Sequence, residues 1–471
     1  MSKLTKYLTI PIIGIQFCSF FLLAQWEPPT QVTREEIVET SQKILSLPDI
    51  PIVTREDLFQ IQALEMDWDM GAMVYEPRDP SKIPSDPTGN KIGVFLIHGG
   101  SGDFRSMDKV ARLLAGKFGF KAVALSFPGR LYLLDPSRNW PGDTIKPDGS
   151  VRTPIWHKDK LITRDQYDVV KDSSLKKKYG TLTLACAKKE TEFYNRMAAW
   201  PVAFEQMGKD LLARHFPENE YSIYVHGHST GGPFAFIFTQ RIPNITGVLG
   251  METSSFGYIV RAQARASGNP TGKQYGDLPF NCLHIRTWGD IARYVGPETL
   301  ALQGPDSLIQ LPSLMEKVFE KWDRVKHLAQ IKAEGPVHYG SVHQLTNQAK
   351  ATARRLHLNT EETQNLIARY VGYSRELWGL NVKPVPPVLF GVAKAGHSAE
   401  RYMDVTLPMY AGMDPPPKVR LVQYQAGIHG YTTPEPDLPM GPFPAVANIW
   451  HEAIMQGYYE NYARQQKLSN R

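Results

Sequence analysis

Cysteine is nearly absent: the chain of 471 residues contains three. Cys18 lies in an apolar N-terminal stretch, which leaves Cys186 and Cys282 for the body of the protein. Two cysteines exclude a disulfide framework of the kind that staples small secreted domains, although they are able to pair in an oxidising compartment. No Cys/His cluster has zinc spacing, so no metal is expected. Charge of one sign is scarce too. A formal net charge of +6 over this length makes no case for nucleic acid as a partner, and no RNA- or DNA-reading motif is present. Internal repeats are also missing, which excludes repeat architectures. What remains, 42% hydrophobic and 21% charged, is an ordinary globular composition, long enough for one large domain or two smaller ones.

The N-terminus has a targeting pattern. Lys3 and Lys6 precede the uncharged run Leu8 to Ala24 (LTIPIIGIQFCSFFLLA). A positive start followed by an apolar stretch predicts a secretory signal over residues 1–25, cleaved after Ala24, and a secreted or periplasmic protein. Leu22 is large for the position it would hold at such a cleavage site. The alternative is therefore an uncleaved membrane anchor over residues 8–24, which Pro11 and Gln16 weaken as a span.

Beyond a polar entry with one helix, strand-like and helix-like runs alternate. Met66 to Tyr75 alternates like a strand. Ile92 to Ile97 (IGVFLI) is a continuous apolar run, as in a strand buried on both faces. A helix over Met107 to Phe118 leads to a second such strand, Lys121 to Phe127. A Pro-, Gly-, Trp- and charge-rich insertion follows, about residues 131–189. A helix from Thr191 to His215 precedes the strand Tyr221 to His226, and Asn244 to Glu252 (NITGVLGME) is another buried strand. Pro279 to Thr287 (PFNCLHIRT) is expected as the next. Residues 305–380 read as mostly helical, with Asn359 and Glu362 forming a capping box. Lys418 to Tyr424 is the last strand, and Ala445 to Gln465 a closing amphipathic helix. Strands alternating with helices predict a mostly parallel α/β sheet.

In such a sheet, chemistry gathers at the carboxyl ends of strands. Gly227-His228-Ser229-Thr230-Gly231 stands at one of these ends and opens an apolar helix, with Pro233 in its first turn. Alone, a serine between two glycines is weak. Between a strand and a helix it fits a nucleophile elbow, where small neighbours admit a strained turn. A serine nucleophile needs a base, an orienting acid and oxyanion donors. His429, after the last strand in Ala426-Gly427-Ile428-His429-Gly430, is the candidate base, with His397 its rival. His226 and His228 flank the serine too closely in sequence to swing onto it.

His98-Gly99-Gly100 after one strand, the Ser229 elbow after another and His429 before the last helix together resemble the α/β-hydrolase superfamily, in its order of nucleophile then histidine. The resemblance covers most of residues 66–465. It implies an α/β-hydrolase fold over 26–471, with large cap insertions at about 131–189 and 300–400. It also implies an oxyanion hole from the backbone N–H groups of Gly100 and Thr230.

For the acid, Glu252 ends the strand after the elbow helix, where a carboxylate needs a partner. Asp290, in Trp288-Gly289-Asp290, is the alternative. It stands two positions early for the superfamily's usual Gly-x-x-Asp, whose slot here is Ala292. A group of bacterial esterases with a Ser-His-Glu triad is similar at Glu252, and Glu252 is preferred. Glu400 and Asp404 enter if Val388 to Lys394 is the true penultimate strand. The resemblance implies a cofactor-free serine esterase acting through an acyl-enzyme on a small, mainly apolar ester, with exported peptidase or amidase activity on small peptides, or an inactive binding module, as alternatives. Trp140, Trp156, Tyr167, Tyr179 and Tyr194 in or beside the first insertion, and Trp322, Tyr370, Tyr373 and Trp378 in the second, are candidates for roofing the site or packing a core.

Overall fold

The computed structural model describes residues 30–63, 66–99, 102–132, 155–172, 182–188, 191–229, 231–251, 282–284, 357–371, 385–395 and 417–469, with single positions between 346 and 354. The expected apolar runs become the centre of the sheet. β4 (Lys91–Ile97) and β5 (Lys121–Leu125) are buried almost throughout. β8 (Tyr221–Gly227) lies on the other side of β4, in parallel register from Lys91 opposite Tyr221 to Ile97 opposite Gly227. Outward from β8 come β9 (Ile245–Met251), β11 (Val388–Ala395), β12 (Val419–Ile428) and the short β1 (Thr30–Val32), all parallel. On the opposite side, β3 (Met66–Pro77) runs antiparallel to β5, and β2 (Ile52–Ala63) antiparallel to β3. The nine strands have the order β1-β12-β11-β9-β8-β4-β5-β3-β2.

Helices cover both faces. α1 (Arg34–Ser46) starts with a capping box: Thr33 Oγ1 accepts from the Glu36 N–H, and the Glu36 carboxylate accepts from the Thr33 N–H at 2.8 Å. α2 (Asp108–Phe118) stops at Gly119, whose φ of 73° is the left-handed value that glycine tolerates. With α6 (Phe443–Met455), these helices bury Ile92, Val94 and Leu96 of β4. The alternate residue, Phe95, faces the other way. It packs edge-on against Phe216, after α3 (Glu192–His215), and Phe238 of α4 (Gly231–Arg241). This period-two division of one strand between two helical layers is the signature of a doubly covered parallel sheet. Burying one such Phe contributes about 1.5–3 kcal/mol.

The expected fold class is therefore what the chain adopts: an α/β-hydrolase fold with a mostly parallel sheet flanked by helices. Two expectations need correction. Pro279 to Thr287 does not supply the next strand of this sheet. Its described part, β10 (Cys282–His284), pairs antiparallel with β7 (Leu182–Ala187), and β7 pairs with β6 (Tyr167–Asp172), in a separate three-stranded sheet. A short apolar run carries no record of which sheet it joins. The strand beside β9 is instead β11, within the stretch 300–400 read as an insertion. The strand β2 and its hairpin with β3 were not anticipated at all. β2 is a sheet edge whose residues are mostly exposed or half-buried, so it lacks the apolar run that marks β4.

The first insertion is tied to the β2–β3 hairpin. The Asp69 carboxylate, 5% exposed, accepts from Tyr132 Oη at 2.7 Å, the Lys158 N–H at 2.7 Å and Gln60 Nε2 at 2.9 Å. Trp156 packs edge-on to Trp68 and against Phe193, and Tyr167 also meets Phe193. Trp156 and Tyr167 are thus core residues of the insertion's base. Trp140, Tyr179, Trp322, Tyr373 and Trp378 lie outside the described residues. The Asn359–Glu362 capping box does form, opening α5 (Thr360–Val371), with bonds of 2.9 and 3.0 Å. Among the described residues no helix is long and apolar enough to cross a membrane; the expected signal or anchor segment lies outside them.

Candidate active site

β4, β8, β9, β11 and β12 run in one direction, so their carboxyl ends share one edge of the sheet. His98-Gly99 follow β4, His228-Ser229 follow β8 and His429 follows β12. The parallel topology thus gathers residues more than three hundred positions apart.

The elbow is built from hydrogen bonds and from missing side chains. The His228 N–H donates to Ile97 O at 2.9 Å, fastening the turn to the end of β4. The Gly231 and Gly232 N–H groups donate to His228 O and Ser229 O at 2.7 and 2.9 Å, which starts α4 immediately. Ser229 has a φ of 52°, a left-handed value that is uncommon outside glycine and typical of strained functional turns. Both flanking glycines are required sterically. A Cβ on Gly227 would run into the Gly231 carbonyl, and one on Gly231 would stand 2.5 Å from Ile97 O and 2.7 Å from His98 O.

His98 was expected only as part of a motif, and its buried position gives it a further role. Its Nδ1–H donates to Gly99 O at 2.6 Å, and its Nε2 accepts the Phe127 N–H at 3.3 Å. The two bonds define one neutral tautomer and join the loop after β4 to the loop after β5. Burial, reinforced by the nearby Arg130 charge, lowers its pKa to about 3. His226 is comparable. Its Nδ1 meets Leu249 O at 2.9 Å, its ring lies 4.7 Å from Trp450, and burial lowers its pKa to about 4. Both are structural histidines.

His429 is held by the turn after β12. Gly427 near the end of β12, and Gly430 and Tyr431 beyond it, all have positive φ. The Gly427 N–H donates to Glu435 Oε1 at 2.7 Å, and Glu435 is paired with Arg34 at 2.5 Å. The His429 ring lies 4.7 Å from the His228 ring. A Cβ on Gly99 would stand 3.0 Å from His228 Nδ1 and 3.3 Å from Ser229 Cβ, and one on Gly430 would stand 3.3 Å from His228 Nε2. His228 therefore sits between the ends of β4 and β12. Sequence distance alone had set it aside as a base and given no sign of this bridging position.

Ser229, His228, Gly99 and the His429 turn are thus brought together. Gly100, Thr230, Glu252, Asp290, His397, Glu400 and Asp404 lie outside the described residues. Glu252 directly follows β9. Asp290 follows the run Pro279 to Thr287 in sequence, but β11 holds the position beside β9 and the described part of that run belongs to the smaller sheet.

No family model matches the chain, and no curated protein matches it. Solved structures with some likeness include an esterase from Pseudomonas putida, at 15% identity and a TM-score of 0.34, covering 90% of this chain and 88% of that one. Acetyl xylan esterase 1 from Thermoanaerobacterium is 10% identical with a TM-score of 0.32, over 96% and 100%. An acylaminoacyl peptidase from Pyrococcus horikoshii is 10% identical with a TM-score of 0.36, over 89% of this chain but 44% of its own. Likenesses this distant carry no argument about the reaction. The α/β-hydrolase fold rests on the strand order, the helices on both faces and the turn at Ser229.

Proposed function

We propose that the chain is a serine hydrolase that cleaves a carboxylic ester, or a related acyl bond, of a small and mainly apolar substrate. The observation that carries this reading is Ser229 at a φ of 52° in the tight turn between β8 and α4. A serine side chain has no structural need for that conformation, and glycine would adopt it without strain. His429, after β12 at the same edge of the sheet and with its ring 4.7 Å from that of His228, supports it.

In the proposed mechanism His429 takes the Ser229 hydroxyl proton as Oγ attacks the acyl carbon. The backbone N–H groups of Gly100 and Thr230 receive the oxyanion. His429 returns the proton to the departing alcohol, and water then deacylates Ser229 by the same route. Glu252 is the proposed acid that orients His429. Its position one residue beyond β9 supports this choice over Asp290. We also propose that residues 1–25 export the protein or tether it to a membrane.

Two measurements test the reading. A fluorophosphonate probe should label the wild-type protein and leave Ser229→Ala unlabelled; equal labelling of both removes Ser229 as nucleophile. On a short-chain aryl ester, Glu252→Gln should lower kcat by on the order of 10⁴ if the acid acts as in the best-studied triad. Full activity in that variant, with loss in Asp290→Asn, Glu400→Gln or Asp404→Asn, would move the acid to that residue. For export, the N-terminus of protein from its native source should lie near Gln25, or the protein should fractionate with membranes. A soluble product retaining Met1 would refute it.

A further inference from the structure

We infer that Cys186 and Cys282 are the two ends of a cross-strand disulfide that fastens the first insertion to the chain beyond β9. The inference rests on strand register and is independent of any role for Ser229. Cys282 of β10 stands directly opposite Cys186 of β7 in the antiparallel pair, with Leu283 opposite Ala185 and His284 opposite Leu184. Directly opposed residues in an antiparallel pair project to the same face, and their Cα atoms are about 4.5–5.5 Å apart. Disulfides span about 4.4–6.8 Å between Cα atoms, so either kind of opposed pair meets the requirement. A shift of one residue would put the two cysteines on opposite faces. Apart from Cys18 in the N-terminal stretch, these are the chain's cysteines, and the fold brings them into register across nearly a hundred residues of sequence.

The bond would tie β10 covalently to the sheet it joins. β10 has three residues, and it joins β6 and β7 rather than the central sheet. The chemistry needs an external oxidant, here a disulfide such as oxidised glutathione. One cysteine thiolate attacks it and releases one glutathione thiolate. The second cysteine thiolate then attacks the mixed disulfide and releases the other. Two protein thiols thus give up two protons and two electrons, and one glutathione disulfide becomes two glutathiones.

The test uses the full chain, folded and equilibrated with a glutathione buffer rich in the disulfide form. It is then denatured, alkylated without reductant and digested with trypsin. Alkylation should fall from three cysteines to Cys18 alone. The peptides YGTLTLACAK (residues 179–188) and QYGDLPFNCLHIR (residues 274–286) should appear as one linked species, two hydrogens lighter than their sum, which reductant separates. In Cys282→Ser, Cys186 should become alkylatable. Alkylation of both Cys186 and Cys282 in the oxidised wild-type protein overturns the inference, as does either of them linked to Cys18. The wild-type digest decides the matter even where the variant fails to fold.

Discussion

Acid should destabilise this protein through two buried histidines that lie outside the proposed triad. His98 and His226 are fully buried and hydrogen-bonded as neutral rings, with pKa values lowered from 6.5 to about 3 and about 4. Because the folded values lie below the unfolded one, the unfolded chain binds more protons between them, and stability falls as pH drops below about 6.5. At pH 5 both rings remain neutral in the folded protein, while the unfolded chain gains about 1.5 pH units of protonation free energy at each. At 1.36 kcal/mol per unit this is a loss of about 2 kcal/mol for each ring and about 4 kcal/mol together, relative to neutral pH. That is a large part of a total stability that typically lies near 5–15 kcal/mol. His215 and His451, also lowered by burial, add to the same slope, so single variants decide the question better than the wild-type curve. Urea unfolding followed by tryptophan fluorescence at pH 7 and pH 5 supplies the measurement. His98→Asn and His226→Asn will each lower stability at pH 7, but each should remove about 2 kcal/mol of the difference between the two pH values. An unchanged difference in both variants would refute the reasoning.

Gly231→Ala should lose about 3 kcal/mol, since its methyl would press on the carbonyl oxygens of Ile97 and His98, which belong to the backbone and cannot swing aside. Gly89→Ala, at a φ of 85° with nothing within 4 Å, should lose only about 1–2 kcal/mol of backbone strain; equal losses in urea unfolding would discount the steric argument. Asp69→Ala removes the acceptor shared by Tyr132, Lys158 and Gln60. It should destabilise by about 3 kcal/mol and speed trypsin cleavage after Lys158 and Lys160 by about tenfold or more. Unchanged proteolysis would show that the insertion's base does not depend on this carboxylate.

Local chemistry was legible in the residues themselves. The apolar runs of β4, β5, β8 and β9, the capping box of α5 and the glycines around Ser229 all act within a few positions of where they are written. Propensity, capping and steric room are properties of neighbouring residues, so a linear reading finds them. The order of strands is different. Pro279 to Thr287 reads as a central strand because a short, largely apolar run serves either sheet, and only the pairing of Cys282–His284 with β7 decides which one. β2 went unnoticed because an edge strand has no need of a continuous apolar run. His98 as the clasp between two loops, His228 between the ends of β4 and β12, and Cys186 opposite Cys282 all depend on parts of the chain far apart in sequence. Their meaning is set by register and by burial, which no stretch of sequence carries alone and which arise only when the sheet has closed and excluded water.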